Sequence, residues 1–382
     1  MRFVHTADWH LGRLFHGVHL TEDQAHVLDQ LIELLKDVDA EALIVAGDVY
    51  DRAVPPVEAV RLLDDVLTRV VEDVGIPVVA IAGNHDGPDR LAFGSRMLRD
   101  RGVHVVGRVS APPGVIRLGD AHGPVRVHAL PYAEPSLVRE VTGDESLHSH
   151  DAATRAVIES VERERGARHV LVAHVFVAGS EVTDSERPLS VGGAGTVGSD
   201  AFSGFDYVAL GHLHRPQQAG SPGIRYSGSL MKYSFSEASQ RKAVLVVDLD
   251  ASGGIQVDEV ALTPRRDVRI LEGTLSHLLE GPPGGESRDD YVLARLTDRE
   301  ALFDPMGKLR AVYPNVMQVE RVGVDAGGVS SSAAREHRRM TDLDLFRAFA
   351  REVSGVDLSD QESRALEEAL TDHEKEEREV AP

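Results

Sequence analysis

Five short motifs in the first 214 residues carry aspartate, asparagine and histidine side chains. In chain order they are Asp-x-His, Gly-Asp-x-x-Asp, Gly-Asn-His-Asp, a single His and Gly-His-x-His. Each motif follows an apolar run of strand length, so we expect the polar side chains at the ends of buried strands, on one rim of a sheet. Their candidate donors are Asp8, His10, Asp48, Asn84, His174, His212 and His214.

Seven such donors form a metal-ligand set without any thiolate. Carboxylate, amide and imidazole groups favour manganese, iron or zinc over calcium, which prefers a shell of oxygens. The set is larger than one octahedral ion would take, and it suits two ions about 4 Å apart that share a carboxylate. Because such a pair can clamp a phosphoryl group during in-line displacement, the pattern predicts hydrolysis of a phosphoester.

Three further residues of these motifs carry a proton or a charge. His85 directly follows Asn84, and adjacent side chains diverge at the end of a strand, so His85 is expected to face the substrate as general acid or cationic stabiliser. Asp51 and Asp86 are expected to orient the histidines. Each residue alone has an ordinary alternative as a cap, turn or surface residue, and the ordered set of five motifs favours the site.

The segments that position these motifs alternate between strand and helix over residues 1–265. A capping-box signal at Thr21–Gln24 predicts the start of one helix, and Pro55-Pro56 predicts the start of another. Two more helices are predicted over about 88–101 and 151–165. Strands are predicted at 42–47, 77–82, 103–109, 125–132, 169–175, 206–211, 224–229, 242–250 and 255–262. This order predicts the α/β class, as two packed sheets flanked by helices.

The composition changes near residue 264, which predicts further parts of the chain. A short helix between strand-like runs suggests a small α+β module, and a Gly/Ser/Ala-rich stretch suggests a flexible linker. Beyond it, two capping signals predict C-terminal helices, one of them with an apolar stripe that needs a partner. The predicted division is 1–264 main domain, 265–322 small domain, 323–340 linker and 341–382 C-terminal helices.

Composition excludes several classes of protein. The 382 residues contain no cysteine, so disulfides and thiolate metal sites are excluded and a reducing compartment, the cytoplasm, is expected. No apolar run reaches the roughly 18 residues of a membrane span. The net charge of −21 argues weakly against a nucleic-acid partner, although the last 20 or so residues are strongly acidic and leave the rest of the chain less negative.

The motifs resemble those of the calcineurin-like metallophosphoesterases, and most of all the branch of SbcD-type nuclease subunits, bacterial relatives of the eukaryotic double-strand-break repair nuclease. The resemblance rests on the segments His5–Gly12, Gly211–Gln217, Tyr226–Leu230 and Tyr233–Glu237. It extends to about residue 322, strongly to residue 240. It implies that the two sheets form the sandwich of that family and that residues 265–322 form its capping domain.

The resemblance also implies cofactors and partners. It implies two Mn²⁺ ions, with Mg²⁺ or another divalent metal as the alternative, and His85 as the catalytic histidine. The first ion would be held by Asp8, His10, Asp48 and His214, and the second by Asp48, Asn84, His174 and His212. It implies DNA as substrate, dimerisation through helices near 56–74 and 88–101, and an SbcC-type coiled-coil ATPase bound by residues 341–382. A heterotetramer associated with the bacterial nucleoid would result.

Three arginines lie close to the motifs. Arg13, Arg52 and Arg215 each follow a motif within three residues, and a nuclease needs cations near its ions to hold the phosphate backbone. An ordinary solvated arginine is the alternative for each. Two other functions remain open: a stand-alone enzyme acting on small phosphodiesters or phosphomonoesters, and a scaffold that mainly clamps its partner onto DNA.

Overall fold

The computed structural model describes residues 1–186, 195–282 and 287–322. The described chain divides into two compact units, one of Met1–Arg295 with Phe303–Glu320 and one that includes Leu296–Leu302 and the residues from Arg321. The predicted linker at 323–340 and the predicted helices at 341–382 lie outside the described residues. Among the described residues, no helix combines the length and the apolar character needed to cross a bilayer.

Strands and helices alternate over most of the described chain. The strands are β1 Arg2–Thr6, β2 Leu14–Phe15, β3 Val18–His19, β4 Ala42–Val45, β5 Val78–Ile81, β6 Val103–Val106, β7 Gly114–Asp120, β8 Gly123–Leu130, β9 Arg168–His174, β10 Phe176–Val177, β11 Thr196–Val197, β12 Tyr207–Gly211, β13 Gln217–Gln218, β14 Ile224–Tyr226, β15 Ala243–Leu249, β16 Ile255–Ala261, β17 Val268–Gly273, β18 Tyr291–Leu296 and β19 Val316–Arg321. The helices are α1 Thr21–Asp37, α2 Val57–Arg69, α3 Pro88–Leu91, α4 Ser95–Leu98, α5 Pro135–Thr142, α6 His150–Glu159, α7 Leu275–Leu278 and α8 Pro305–Arg310.

Two six-stranded sheets form the centre of the first unit. Their strand orders are β16-β15-β1-β4-β5-β6 and β13-β14-β12-β9-β8-β7. Alternate residues of each strand point to opposite faces, so β1 directs Phe3 into the layer between the sheets and Val4 toward α1. A separate apolar cluster covers the outer face of the second sheet beneath α5 and α6. The predicted class and two-sheet architecture are confirmed.

Several predicted element boundaries are wrong. Thr21 makes no capping hydrogen bond, and the residue before the first helical turn is Leu20. The helix predicted over 88–101 is interrupted, because Gly94 adopts a left-handed φ of 76° that separates α3 from α4. The helix predicted over 151–165 ends at Glu159. Helix α5 and strand β7 were not predicted.

A three-stranded sheet, β17-β18-β19, follows the two large sheets. Thr274 and Asp304 cap the short helices α7 and α8 with their side chains. Tyr291 joins the apolar cluster around α1, and its hydroxyl donates to Asp23 Oδ2 at 2.8 Å. This packing places the sheet against α1, while a separate capping domain at 265–322 stays a prediction.

Candidate metal centre

The seven predicted donors come together at the carboxyl ends of five strands. Strands β1, β4 and β5 run parallel in the first sheet, and β9 and β12 run parallel in the second. Parallel strands deliver their carboxyl ends to one edge, so the residues that follow each strand meet there. The side chains gathered at this edge are Asp8, His10, Asp48, Asn84, His174, His212 and His214.

Four of these residues have left-handed backbone conformations. The φ angles are 52° at Asp8, 46° at His10, 47° at Asp48 and 107° at His212. Such conformations cost roughly 1–3 kcal/mol each in residues other than glycine and persist only where neighbouring structure imposes them. Here Asp8 N–H donates to the Gly47 carbonyl at 3.0 Å, and His10 N–H donates to the Asp48 carbonyl at 2.9 Å. The loops after β1 and β4 therefore hold each other in place.

One group of donors surrounds His10. Its Nε2 lies 3.1 Å from His214 Nε2 and 3.7 Å from Asp48 Oδ2. Donor atoms of Asp8, His10 and His214 all lie within 4.8 Å of one another. These distances are typical of ligands that share one ion.

A second group surrounds Asn84. Its Oδ1 lies 2.9 Å from His174 Nε2 and 3.2 Å from His212 Nδ1. Asp48 Oδ2 is 3.5 Å from His174 Nε2, so this one oxygen lies near both groups of donors. A carboxylate in that position fits an ion pair that shares a ligand.

The burial of two carboxylates tests whether the site suits a cation. Asp8 and Asp48 are both fully buried, and within the described chain their ion pairs are with histidines alone. Burial, with Asp48 nearby, raises the pKa of Asp8 well above its usual range. Burial opposes ionisation of Asp48 too, but charged His174 more than offsets this and leaves that pKa well below its usual range. Two buried carboxylates this close together can both ionise only beside positive charge, which divalent ions would supply.

The histidines are suited to bind metal in their neutral form. Burial lowers the pKa of His212 to about 3, and it lowers the pKa of His10 and His214 as well. Burial also opposes the charge on His174, but Asp48 outweighs it and raises that pKa to about 9. The pull of Asp48 on a positive His174 is the same attraction that a cation at this place would satisfy. The residues present fit a pair of divalent ions.

His85 lies at the edge of the site and is half-buried. Its ring meets the ring of His10 at 4.7 Å between centroids, and its Nδ1 lies 2.8 Å from the Asp51 carbonyl. Because a carbonyl only accepts, Nδ1–H must donate, which leaves Nε2 for a substrate. The His85 N–H also donates to Asp48 Oδ1 at 2.9 Å, so the two motifs are joined.

The two orienting carboxylates differ in what they contact. Asp51 Oδ1 lies 3.4 Å from His10 Nδ1, near enough for a charge interaction. Asp86 instead accepts N–H bonds at 2.8–3.1 Å from Val49, Tyr50 and Gly83. Among the described hydrogen bonds of Asp86 none reaches a histidine. The expectation that Asp86 orients a histidine is therefore corrected: it binds backbone amides instead. It fixes the two loops that carry Asp48 and Asn84, because their amide groups converge on its carboxylate.

The three arginines near the motifs already have partners. Arg13 donates to Asp51 Oδ1 at 3.0 Å and lies over the Tyr233 ring, with only 16% of its side chain exposed. Arg52 lies 3.8 Å from Asp51 Oδ2 and is 53% exposed, and Arg215 pairs with Glu181. Arg52 and Arg215 therefore present more of their charge to solvent than Arg13 does.

Sequence reasoning missed a glutamine that supports the first motif. Gln24 is fully buried in α1 and donates to the carbonyls of Trp9 and His10 at 3.1 and 2.8 Å. Its Oε1 accepts the Gly12 N–H at 3.1 Å. The only signal in the sequence was its place in the supposed capping box, which suggested a different contact. Tyr233 completes the support, with its hydroxyl donating to the Trp9 carbonyl at 2.5 Å.

The chain matches two families of known proteins and a relative along nearly its whole length. Residues 1–216 match the calcineurin-like phosphoesterase family, and residues 264–354 match a family described as Type 5 capsule protein repressor C-terminal domain. The chain is 30% identical over 373 residues to the SbcD subunit of the nuclease SbcCD from Staphylococcus epidermidis, covering 97% of this chain and 98% of that protein.

Two solved structures are similar at low identity. TT1561 of Thermus thermophilus is 12% identical, with 68% of this chain and 98% of that one covered and a TM-score of 0.38. GAP50, the anchor in the inner membrane complex of Plasmodium, is 12% identical, with 70% and 90% covered and a TM-score of 0.39. The family match and the similarity along nearly the whole chain show that this protein belongs to the calcineurin-like phosphoesterases, in the branch of SbcD-type nuclease subunits.

Proposed function

We propose that this protein is a Mn²⁺-dependent DNA nuclease, with endo- and exonuclease activity at double-strand breaks and DNA ends. The observation that carries the proposal is the convergence of two buried donor groups around one shared carboxylate, Asp48. The full-length similarity to a protein named as part of a nuclease supports DNA as the substrate.

Each donor group would hold one ion. The first ion would be bound by Asp8, His10, Asp48 and His214, and the second by Asp48, Asn84, His174 and His212. When bound, the ions would activate water and neutralise charge on the phosphoryl oxygens. His85 would place its Nε2 against the phosphodiester, where a protonated ring would donate to the leaving oxygen or stabilise its charge.

The surroundings of the site suit a phosphate backbone. Arg52 and Arg215, both about half exposed, lie beside the motifs and would contact phosphates on either side of the cleaved bond. Arg13, which is largely buried against Asp51 and Tyr233, would act by holding Asp51 instead.

We propose an SbcC-type coiled-coil ATPase as partner, bound by residues 341–382, in a heterotetramer associated with the nucleoid. A chain that ends at residue 340 should still hydrolyse bis-p-nitrophenyl phosphate but should no longer co-purify with the ATPase. Co-purification of the shortened chain would contradict this assignment.

A homodimer through α2 and the α3–α4 region is also proposed. An apolar groove of about 360 Å³ lies between these elements. Val60, Phe93 and Met97, which line it, are 45%, 83% and 75% exposed, and large apolar side chains exposed side by side are typical of interaction sites. Met97→Asp should therefore halve the mass measured by light scattering, whereas an unchanged dimer mass would argue against this surface.

Digestion of end-labelled linear duplex DNA tests the nuclease function. The purified chain should cleave with Mn²⁺, and His85→Ala should lose most of the cleavage while retaining both ions by elemental analysis, because it removes a proton donor and no ligand. Loss of an ion from His85→Ala would contradict its assigned role. Hydrolysis of a small phosphodiester without DNA cleavage, even with the ATPase added, would favour a small-molecule enzyme.

A further inference from the structure

A chain of buried hydrogen bonds leads away from the metal centre at His214. Its Nδ1 lies 2.6 Å from Ser185 Oγ, and that hydroxyl lies 2.6 Å from Glu237 Oε1. The other oxygen of Glu237 pairs with Lys242. Ser185 is 9% exposed, Lys242 5% and Glu237 0%, so the chain is shielded from water. None of these three residues belongs to the five motifs.

The partners of Glu237 are all hydrogen-bond donors, at both of its oxygens. Besides Ser185 and Lys242, its Oε1 accepts from the Tyr233 N–H at 3.2 Å and from Ser234 Oγ at 2.9 Å. Three donors and an ammonium group converge on this one carboxyl group, which therefore acts as an acceptor at both oxygens.

The direction of the protons in the chain follows from that acceptor role. Ser185 has a single hydroxyl hydrogen, and although Thr183 Oγ1 also lies 2.9 Å from its Oγ, the shorter 2.6 Å contact is the one in which Ser185 donates to Glu237 Oε1. Toward His214 the hydroxyl oxygen can then only accept, so His214 carries its proton on Nδ1. The lone pair of His214 is consequently on Nε2, the atom that lies 3.1 Å from His10 Nε2 in the first donor group.

The same elements also hold the backbone of His214. Lys242 Nζ donates to the His214 carbonyl at 2.6 Å, and the His214 N–H donates to Glu186 Oε1 at 2.8 Å. Ring and backbone are thus fixed together by Ser185 and Glu186 on one side and by Lys242 on the other. This arrangement sets both the direction of the ring and the nitrogen that it offers to a metal.

The second donor group is oriented differently, which provides an internal reference. His174 Nδ1 lies 2.9 Å from the Ala46 carbonyl, a backbone group that fixes the tautomer without any side chain. Among the described hydrogen bonds of Ser185, none involves His174, Asn84 or His212. A change at Ser185 should therefore affect one ion and leave the other alone.

We propose that Ser185, Glu237 and Lys242 are positioning residues that fix the Nδ1–H tautomer of His214 and thereby set the affinity of the first ion. The inference rests on the proposed two-ion function. It gives a part in the metal centre to Ser185, which lies between β10 and β11, and to Glu237 and Lys242, which lie between β14 and β15. Removal of partners that orient a ligating histidine typically weakens metal binding 10- to 100-fold.

Ser185→Ala in the full chain tests the proposal. The protein is stripped with chelator and titrated with Mn²⁺ by calorimetry. One of the two equivalents should bind 10- to 100-fold more weakly and the other should be unchanged. Ser185→Thr, which keeps the hydroxyl, should restore the affinity. Ser110→Ala removes an exposed hydroxyl bonded to the Pro112 carbonyl and serves as the matched control.

A second measurement determines the tautomer of His214 in the metal-free protein. Long-range ¹H–¹⁵N correlation of labelled histidines should show Nδ1–H for His214 in the wild-type protein and a mixture of tautomers in Ser185→Ala. Wild-type affinity for both equivalents in Ser185→Ala, or Nε2–H in the wild-type protein, would overturn the proposal. Two bound ions without any DNA cleavage, even with the ATPase added, would refute the nuclease function alone, whereas no uptake of metal by the wild type would refute both.

Discussion

Substitution of Gln24 by leucine should destabilise the first metal-binding loop, because Gln24 supports it from beneath. The amide of Gln24 joins α1 to three backbone groups, those of Trp9, His10 and Gly12. Leucine has nearly the same volume but cannot form these bonds. The loop includes the left-handed His10, whose conformation persists only while neighbouring contacts impose it.

The contacts allow the size of the effect to be worked out. The buried N–H of Gly12 would lose its acceptor, which costs about 1–3 kcal/mol. The carbonyls of Trp9 and His10 keep bonds from Tyr233 and Arg13, so each lost bond costs only about 0.5–1.5 kcal/mol. Together the free energy of unfolding should fall by about 2–6 kcal/mol.

Gln30 on the same helix provides a matched control. It also forms two amide bonds to a backbone, donating to the Thr263 carbonyl at 2.7 Å and accepting its N–H at 3.0 Å, but Gln30 is only half-buried and both bonds are open to solvent. Water can replace both bonds, so Gln30→Leu should change stability by no more than about 0.5 kcal/mol. Urea unfolding of the metal-free proteins gives both values. Equal losses for the two variants, or a loss below about 1 kcal/mol for Gln24→Leu, would refute the reasoning.

Three further predictions concern other parts of the first unit. Gly83→Ala should abolish tight metal binding, measured as metal retained after gel filtration, because a Cβ there would collide with Asp48. Burial lowers the pKa of His5 to about 3, so the wild-type protein should lose up to about 4–5 kcal/mol as the pH falls from 6.5 toward 3. His5→Gln should lack this part of the acid sensitivity in urea unfolding at pH 7 and pH 4. Ser149→Ala should cost about 1 kcal/mol in thermal unfolding, because the Ser149 hydroxyl caps α6 by accepting from Ala152 at 3.1 Å.

The sequence predicted the two sheets and the rim because both depend on local patterns. Runs such as 42–47 and 77–82 are apolar on both faces, as strands covered on both sides must be. The polar residue after each run then marks a strand end. Since the parallel arrangement brings those ends together, Asp48 and Asn84 could be expected side by side without any knowledge of the loops.

Features that depend on backbone conformation were harder to predict from the sequence. Gly94 interrupts the helix expected over 88–101, yet one glycine within a helical pattern is commonly tolerated at a cost of about 1 kcal/mol. Only its left-handed φ of 76° reveals the break. Gln24 was misread for a related reason. A Thr-x-x-Gln pattern has the same letters whether glutamine returns to the helix start or, as here, reaches across to another loop.

The choice of nitrogen on each histidine shows where prediction from sequence must stop. His214 offers Nε2 because Ser185, 29 residues earlier, accepts from Nδ1, and His174 offers Nε2 because the Ala46 carbonyl, 128 residues earlier, does the same. His212 instead turns Nδ1 toward Asn84. The motifs specify which residues have the right chemistry. Contacts between distant segments decide which atom of each residue performs it, and those of His174 and His212 join residues at the ends of strands of different sheets.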